Sequence, residues 1–273
     1  MKNIYSSQCR EDTFVDRKKA VERVITNISR NLNEPINMDE MAKIAYLSPF
    51  HFNRIFHDVT GLPPSQFLYA MRLQEAKRLL LTTKMNVTDI CFEVGYNSLG
   101  TFTRRFTELV GLPPTELRRF ASEICKFDWE GLYREGWKEA VPDSFISGEL
   151  RAPENFEGLI FIGLFEKMIP QSSPVSGTLV TRACQYKINA VPDGTYYLLV
   201  AALPRSVEPL DYLLMDLSKL LVGVGKTPVI VKKDKVKGDL NITIRPLRLT
   251  DPPILTVLPF LLIEGLKQIT SDK

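Results

Sequence analysis

Residues 39–67 and 89–117 are imperfect copies of one segment, set fifty positions apart. Asp39/Asp89, Tyr46/Tyr96, Ser48/Ser98, Phe52/Phe102, Arg54/Arg104 and Phe56/Phe106 fall in register, as does Gly61-Leu62-Pro63-Pro64 against Gly111-Leu112-Pro113-Pro114. A unit repeated only once cannot build a solenoid, which needs several stacked copies to cover its core. The expected arrangement is a tandem pair of small helical modules.

The spacing of apolar residues supports helices up to about residue 120. Val21, Val24, Ile25, Ile28 and Leu32 follow the i, i+3, i+4, i+7 pattern, and Phe67, Ala70, Met71, Ala76, Leu79 and Leu80 mark a second long helix. Between them a short helix is entered through Asn37, with Glu40 three residues on, as in a capping box. Ser48 and Ser98 each stand where a side-chain oxygen can accept from the first turn of the next helix. Gly61 and Gly111 suit the left-handed residue that ends a helix, and the Pro-Pro that follows suits the first turn of the next one. Each copy therefore reads as helix, tight turn, capped helix and stop, the layout of a helix-turn-helix. Two generic helical hairpins are the plainer alternative.

Beyond residue 120 the texture changes. Residues 122–155, with Trp129, Trp137, several acids and a proline, have mixed periodicity and read as a connector. From 156 to 273 the signal is β. Residues 159–165 are apolar, 195–203 follow a Pro-Asp-Gly turn, and Leu240, Ile242 and Ile244 alternate with Asn241, Thr243 and Arg245. The expected fold class is multidomain α plus β: an all-α tandem helix-turn-helix domain over 1–121, then an antiparallel β-sandwich domain over 156–273. Residues 209–221 are the exception, since they could form a helix.

With 273 residues, 44% of them hydrophobic and 25% charged, the chain can hold two cores. Cys9, Cys91, Cys125 and Cys184 form no C-x-x-C pair, and His51 and His57 are the only histidines, so neither a zinc site nor a disulfide framework is expected. No cofactor is implied. The N-terminus lacks the apolar stretch of a signal peptide, and the apolar segment 254–263 is interrupted by Pro259 and too short to span a bilayer, which points to a cytoplasmic protein without a membrane partner. Net charge is +3; residues 1–125 carry 17 Lys/Arg against 14 Asp/Glu, while the rest carries 18 of each. The excess positive charge lies in the half with the repeat, which fits nucleic-acid binding and equally an ordinary solvated surface.

Residues 17–121 resemble the DNA-binding domain of the AraC/XylS family of bacterial transcription regulators. The resemblance is carried by Arg72-Leu73 with Ala76, Leu79 and Leu80, by Val87, Ile90 and Val94-Gly95-Tyr96, and by Phe102-Thr103-Arg104-Arg105-Phe106 leading to Gly111-Leu112-Pro113-Pro114. It implies two helix-turn-helix units joined by a rigid helix and binding double-stranded DNA. Independently, a helix from Pro64 to about Thr83 would be ~30 Å long, close to the ~34 Å of one duplex turn, so one strut could hold two recognition helices over successive major grooves.

On the first recognition helix Phe52, Ile55 and Phe56 should face inward, leaving Phe50, His51, Asn53, Arg54 and His57 outward. On the second, Phe102 and Phe106 face inward and Leu99, Gly100, Thr101, Thr103 and Arg104 outward. Arginine can grip guanine and asparagine adenine in bidentate fashion, so the expected base contacts are Arg54 and Arg104 first, then Asn53 and Thr103, with Phe50, His51, Leu99, Gly100 and Thr101 beside them. A surface salt bridge to Asp58 or Glu108 is the plain alternative for either arginine. Lys43, His57, Arg72, Lys77, Arg105, Arg118 and Arg119 are expected phosphate contacts, although Arg105 stands nearer the buried face. Pro49, Leu99 and Gly100 occupy positions where the family often has polar base readers, which shifts weight to thymine methyls or DNA shape.

The family usually places its sensor before the DNA-binding domain, whereas here the β region follows it. Residues 156–273 could be a small-molecule sensor, a dimerisation or RNA polymerase contact module, or a catalytic domain. The last is the weakest: the region has no histidine, and Cys184, in Arg-Ala-Cys-Gln, lacks the Pro-Cys-His-Arg setting of DNA-repair alkyltransferases. Tyr186, Tyr196, Tyr197 and Tyr212 suit packing better than a ligand cavity, and Lys232, Lys233, Lys235 and Lys237 suit a solvated hairpin better than a phosphate site. The expected function is a DNA-binding transcription regulator, activator or repressor, controlled through the β domain by an effector, RNA polymerase or a second copy of the chain. A DNA-targeted enzyme is the alternative.

Overall fold

A computed structural model describes residues 2–127, 129, 131, 145–154, 156–206, 208–233, 235–261 and 263. Most of the segment expected to be a connector, including Trp137, lies outside them. The described chain opens with α1 (Lys2–Arg30), whose residues Val21, Val24, Ile25 and Ile28 are buried in one stripe. The helix stops short of Leu32, whose carbonyl is used elsewhere.

Two short helical pairs follow, separated by one long helix. The first pair is α2 (Met38–Ala45) and α3 (Pro49–Thr60). Asn37 and Glu40 form the expected capping box, with Glu40 N–H donating to Asn37 Oδ1 at 3.0 Å and Asn37 N–H to Glu40 Oε2 at 2.7 Å. Ser48 precedes α3 with no side-chain cap, contrary to expectation, and Pro49 occupies the first turn. Helix α4 (Pro64–Thr82) connects to the second pair, α5 (Val87–Glu93) and α6 (Leu99–Val110). Here Asn86 caps α5 through Asp89 N–H at 2.8 Å, and Ser98 does cap α6, accepting from Thr101 N–H at 3.4 Å. Gly61 and Gly111 close α3 and α6 at φ 76° and 94°, the left-handed values that a side chain resists. Helix α7 (Pro114–Glu123) completes the helical part.

The β region begins at β1 (Phe145–Arg151), inside the segment expected to be a connector. It continues with β2 (Gly158–Phe165), β3 (Ser176–Val180), β4 (Gln185–Asn189), β5 (Gly194–Pro204), a short helix α8 (Pro209–Leu214), β6 (Leu221–Val224), β7 (Val229–Lys232), β8 (Lys235–Lys237), β9 (Ile242–Thr243) and β10 (Arg245–Pro246). One sheet has the order β10-β6-β5-β2-β3, with β7 and β8 joined to the start of β5; a smaller one has the order β4-β1-β9. Pairing is antiparallel except between β1 and β9, which run parallel, a departure from the expected pattern. The alternating run 240–245 makes two very short strands in different sheets rather than one.

The larger sheet is covered on both faces. Ile160, Ile162 and Leu164 of β2 join Ile146 and Leu150 of β1 and Ile188 of β4 in one core, between the two sheets. The alternate residue Leu159, with Leu179, Ala201 and Leu203, joins a second core that is continuous with the helices. This explains why β2 reads as an unbroken apolar run instead of an alternating one.

Several contacts tie the β region to the helices, two of them through aromatic rings. Segment 254–258 is buried against α4 and α7, with Phe260 edge-on to Phe120 at 5.3 Å. Trp129 stacks on Tyr212 of α8 at 4.5 Å and donates its indole N–H to Ile124 O at 3.3 Å.

Candidate nucleic-acid interface

Phe52, Ile55 and Phe56 of α3 are buried, with Phe52 edge-on to Phe56 and Phe56 edge-on to Phe67, both at 5.4 Å. Such aromatic stacking fixes the roll of the helix about its axis. The opposite face presents Phe50, Asn53, Arg54 and His57 to solvent, with His51 half-buried. On α6, Phe102 and Phe106 are buried 5.6 Å apart. Leu99, Gly100, Thr101 and Arg104 are exposed and Thr103 is half-buried. Among the described residues neither Arg54 nor Arg104 has an acidic partner, so the alternative salt bridges to Asp58 and Glu108 do not form. Both guanidinium groups are free to meet a ligand.

The tyrosines of the two copies diverge. Tyr96 is 5% exposed and packs edge-on to Phe102 at 5.3 Å, while Tyr46 is 85% exposed and carries Arg23 over its ring at 5.4 Å. With Phe50 at 84% exposure, the turn of the first pair sets two large aromatic rings in water. Sequence reasoning treated Tyr46 only as a mark of the repeat. In the second copy Gly95 takes the left-handed conformation, whereas the first has Ala45 at that register and Tyr46 itself adopts φ 58°; the missing glycine is a sequence signal that separates the two turns.

Several expected phosphate contacts are corrected. Arg72 is buried and donates to the carbonyls of Leu32, Glu34 and Gly95, each at 2.9 Å. Lys77 is also buried, its Nζ lying 3.2, 2.9 and 3.4 Å from the carbonyl oxygens of Ile254, Leu255 and Thr256. Neither can reach a phosphate. Loss of hydration lowers the pKa of both side chains, that of Lys77 to about 7. Arg118 donates to Leu80 O at 3.1 Å and Met85 O at 2.7 Å, holding α7 against the end of α4. Arg105 lies over the Tyr69 ring at 4.2 Å, where its hydrogen bond to Tyr69 raises its pKa further. Arg119 is exposed but pairs with Glu116 and Glu123. Lys43 and His57 stand in solvent.

In the β region Tyr186 O–H donates to Leu240 O at 2.5 Å, and Tyr196 O–H to Pro192 O at 3.1 Å, so both phenols are satisfied within the fold. Burial pushes the Cys184 thiol up, with Arg182 opposing, which disfavours a reactive thiolate. Lys232, Lys235 and Lys237 are exposed on the β7–β8 hairpin. No helix among the described residues is long and apolar enough to cross a membrane.

The sequence pattern of a helix-turn-helix domain matches residues 41–119, from within α2 through α3, α4, α5 and α6 into α7. The Transposon Tn10 TetD protein of Escherichia coli is 30% identical over 99 residues, 36% of this chain and 72% of TetD. The HTH-type transcriptional regulator YbfP of Bacillus subtilis is 32% identical over 110 residues, 39% of this chain. The DNA-binding domain of AdpA, solved in complex with a target DNA, is 27% identical across 38% of this chain and 93% of that one, with a TM-score of 0.37. The chain belongs to the AraC/XylS family of helix-turn-helix transcription regulators. It spans 37% of the length of YbfP, and the family pattern it matches runs over residues 41–119.

Proposed function

We propose that this chain is a sequence-specific DNA-binding transcription regulator acting in the cytoplasm. In this reading α2–α3 and α5–α6 are tandem helix-turn-helix units that insert α3 and α6 into successive major grooves. One observation carries it: each of these helices turns two phenylalanines inward and leaves an unpaired arginine, Arg54 or Arg104, on the solvent side. The 19 residues of α4 make a strut of about 28 Å, near the rise of one duplex turn.

Base contacts are assigned to Arg54 and Arg104, with Asn53, Thr103 and the exposed Phe50 and Thr101 beside them. Lys43 and His57 are the phosphate contacts that remain. The β region, two facing sheets of sandwich type, is the controlling domain; the DNA-binding domain spans 1–121 and the β domain 156–273, preceded by β1 at Phe145–Arg151. RNA polymerase and a second copy of the chain are proposed as further partners.

Selection of bound fragments from genomic DNA, followed by footprinting, tests the reading. Enrichment of sites with two protected major-groove patches about 10 bp apart supports it. Retention of all sequences alike, with binding lost as salt rises, contradicts it, because phosphate attraction alone carries no sequence information.

A further inference from the structure

A cavity of about 280 Å³ opens on the larger sheet, between β2, β3 and β5 and the segment that carries Leu258 and Leu261. Its floor is made where Gly163 of β2 faces Gly177 of β3, so that no side chain rises from that rung. A Cβ on Gly163 would meet the Phe165 ring at 2.8 Å and Pro174 Cβ at 3.1 Å. Phe161, Leu179, Leu199 and Ala201 form the walls, and Leu258 and Leu261 cover one side. None of Tyr186, Tyr196, Tyr197 or Tyr212 lines it, nor does any titratable side chain among the described residues.

The segments that frame this cavity are the ones that hold the helices. Loop 166–175, between β2 and β3, supplies Pro170, Ser173 and Pro174 to the wall. The same loop reaches the ends of both proposed recognition helices. Ser172 N–H donates to Leu109 O of α6 at 2.6 Å, and Met168 lies so close to the end of α3 that a Cβ on Gly61 would sit 3.5 Å from its Cε. The other frame, 254–261, is tied to this loop by Leu255 and Thr256 N–H donating to Pro170 O at 2.9 and 3.1 Å, and to α4 by Lys77. The two segments that frame the cavity thus touch α3, α4 and α6 directly.

We infer that this cavity is an effector site for one small, uncharged, mainly apolar molecule, whose binding alters how α3 and α6 are held. The inference rests on the proposed regulator function. The volume lies near the lower end of the roughly 300–1,000 Å³ of small-molecule sites, which suits a fused-ring or branched hydrocarbon body with at most a hydroxyl or an aromatic, uncharged amine for Ser173. A charged ligand is excluded because no counter-charge lines the walls and its desolvation would go uncompensated.

The test uses the full chain and 1-aminoanthracene, a neutral dye that brightens in apolar surroundings. Saturation at one dye per chain is expected, with affinity at least tenfold weaker in Ala201→Phe, which fills the space. Leu261→Trp, at a half-buried position, keeps the test open should the first variant misfold; it should raise tryptophan-to-dye energy transfer above the wild-type level. Failure of the wild type to bind, or folded variants that behave like the wild type, overturns the site. With selected DNA, saturating dye should change DNA affinity about fivefold or more. Unchanged DNA affinity with dye bound overturns the coupling, whereas absence of specific DNA binding both with and without dye defeats the regulator reading and leaves the titration to decide the cavity.

Discussion

Arg72 Nη1 donates to the carbonyl of Gly95 at 2.9 Å, and this bond joins α4 to the turn of the second helical pair. The same guanidinium holds Leu32 and Glu34, ahead of the first pair, through Nε and Nη2. Gly95 sits at φ 82°, and a Cβ there would come within 2.6 Å of Leu32 O and 2.8 Å of Arg72 Nη2. One buried side chain thus fixes both pairs to the strut.

Replacing Arg72 by methionine keeps an unbranched apolar stem and removes the donor shared by the carbonyls of Leu32, Glu34 and Gly95, of which the first and last are half-buried and Glu34 is exposed. At ~0.5–1.5 kcal/mol net for each lost hydrogen bond, Arg72→Met should destabilise the helical part by more than ~1 kcal/mol in urea unfolding. Gly95→Ala should cost at least ~1 kcal/mol through backbone strain alone. A midpoint unchanged in both variants would remove this anchor from the account.

Lys77 gives the stability a pH dependence whose sign is fixed by its burial. Its native pKa is depressed to about 7, against roughly 10.4 in an unfolded chain. Between those values the unfolded state binds the extra proton, so stability rises with pH across the window and is level below it. Relative to Lys77→Met, the wild type should gain more than ~1 kcal/mol between pH 7 and 9, the limiting slope being about 1.4 kcal/mol per pH unit. Parallel profiles for the two proteins would contradict the assignment.

Arg54 and Arg104 touch nothing that stabilises the fold, so their alanine variants should unfold within ~0.5 kcal/mol of the wild type. Binding is where they should differ. Each should lose ~1–3 kcal/mol of discrimination at its own half of the site, as expected for a bidentate contact with guanine. Arg119→Ala, at a side chain already paired with two glutamates, should change affinity less and specificity not at all.

The helical part was legible because its signals are local. The Asn37 cap, the Gly-Leu-Pro-Pro stops and the inward Phe52, Phe56, Phe102 and Phe106 follow from spacing and backbone chemistry alone. Ser48 failed as a cap although its register partner Ser98 succeeded, a difference of geometry that a repeat cannot reveal. The basic residues of α4 misled for another reason. Arg72 and Lys77 look like surface charges, but Phe67, Leu68, Leu73, Leu79 and Leu80 are distributed around the helix, the mark of an element covered on most sides. What covers the Lys77 side is a segment 177–179 positions away, and no local pattern announces such a contact. In the β region the expected strands 159–165 and 195–203 match β2 and β5 to within a residue at each end, while the start at 145 and the parallel β1–β9 pair depend on partners distant in sequence.

The account depends most on α3 and α6 entering one duplex together. The direct measurement is methylation-interference footprinting of the full chain on a selected site, with Arg54→Ala and Arg104→Ala beside the wild type. Two interference patches about one turn apart, each weakened by a different one of the two substitutions, are the result expected. A single patch, or two patches that neither substitution alters, would contradict it.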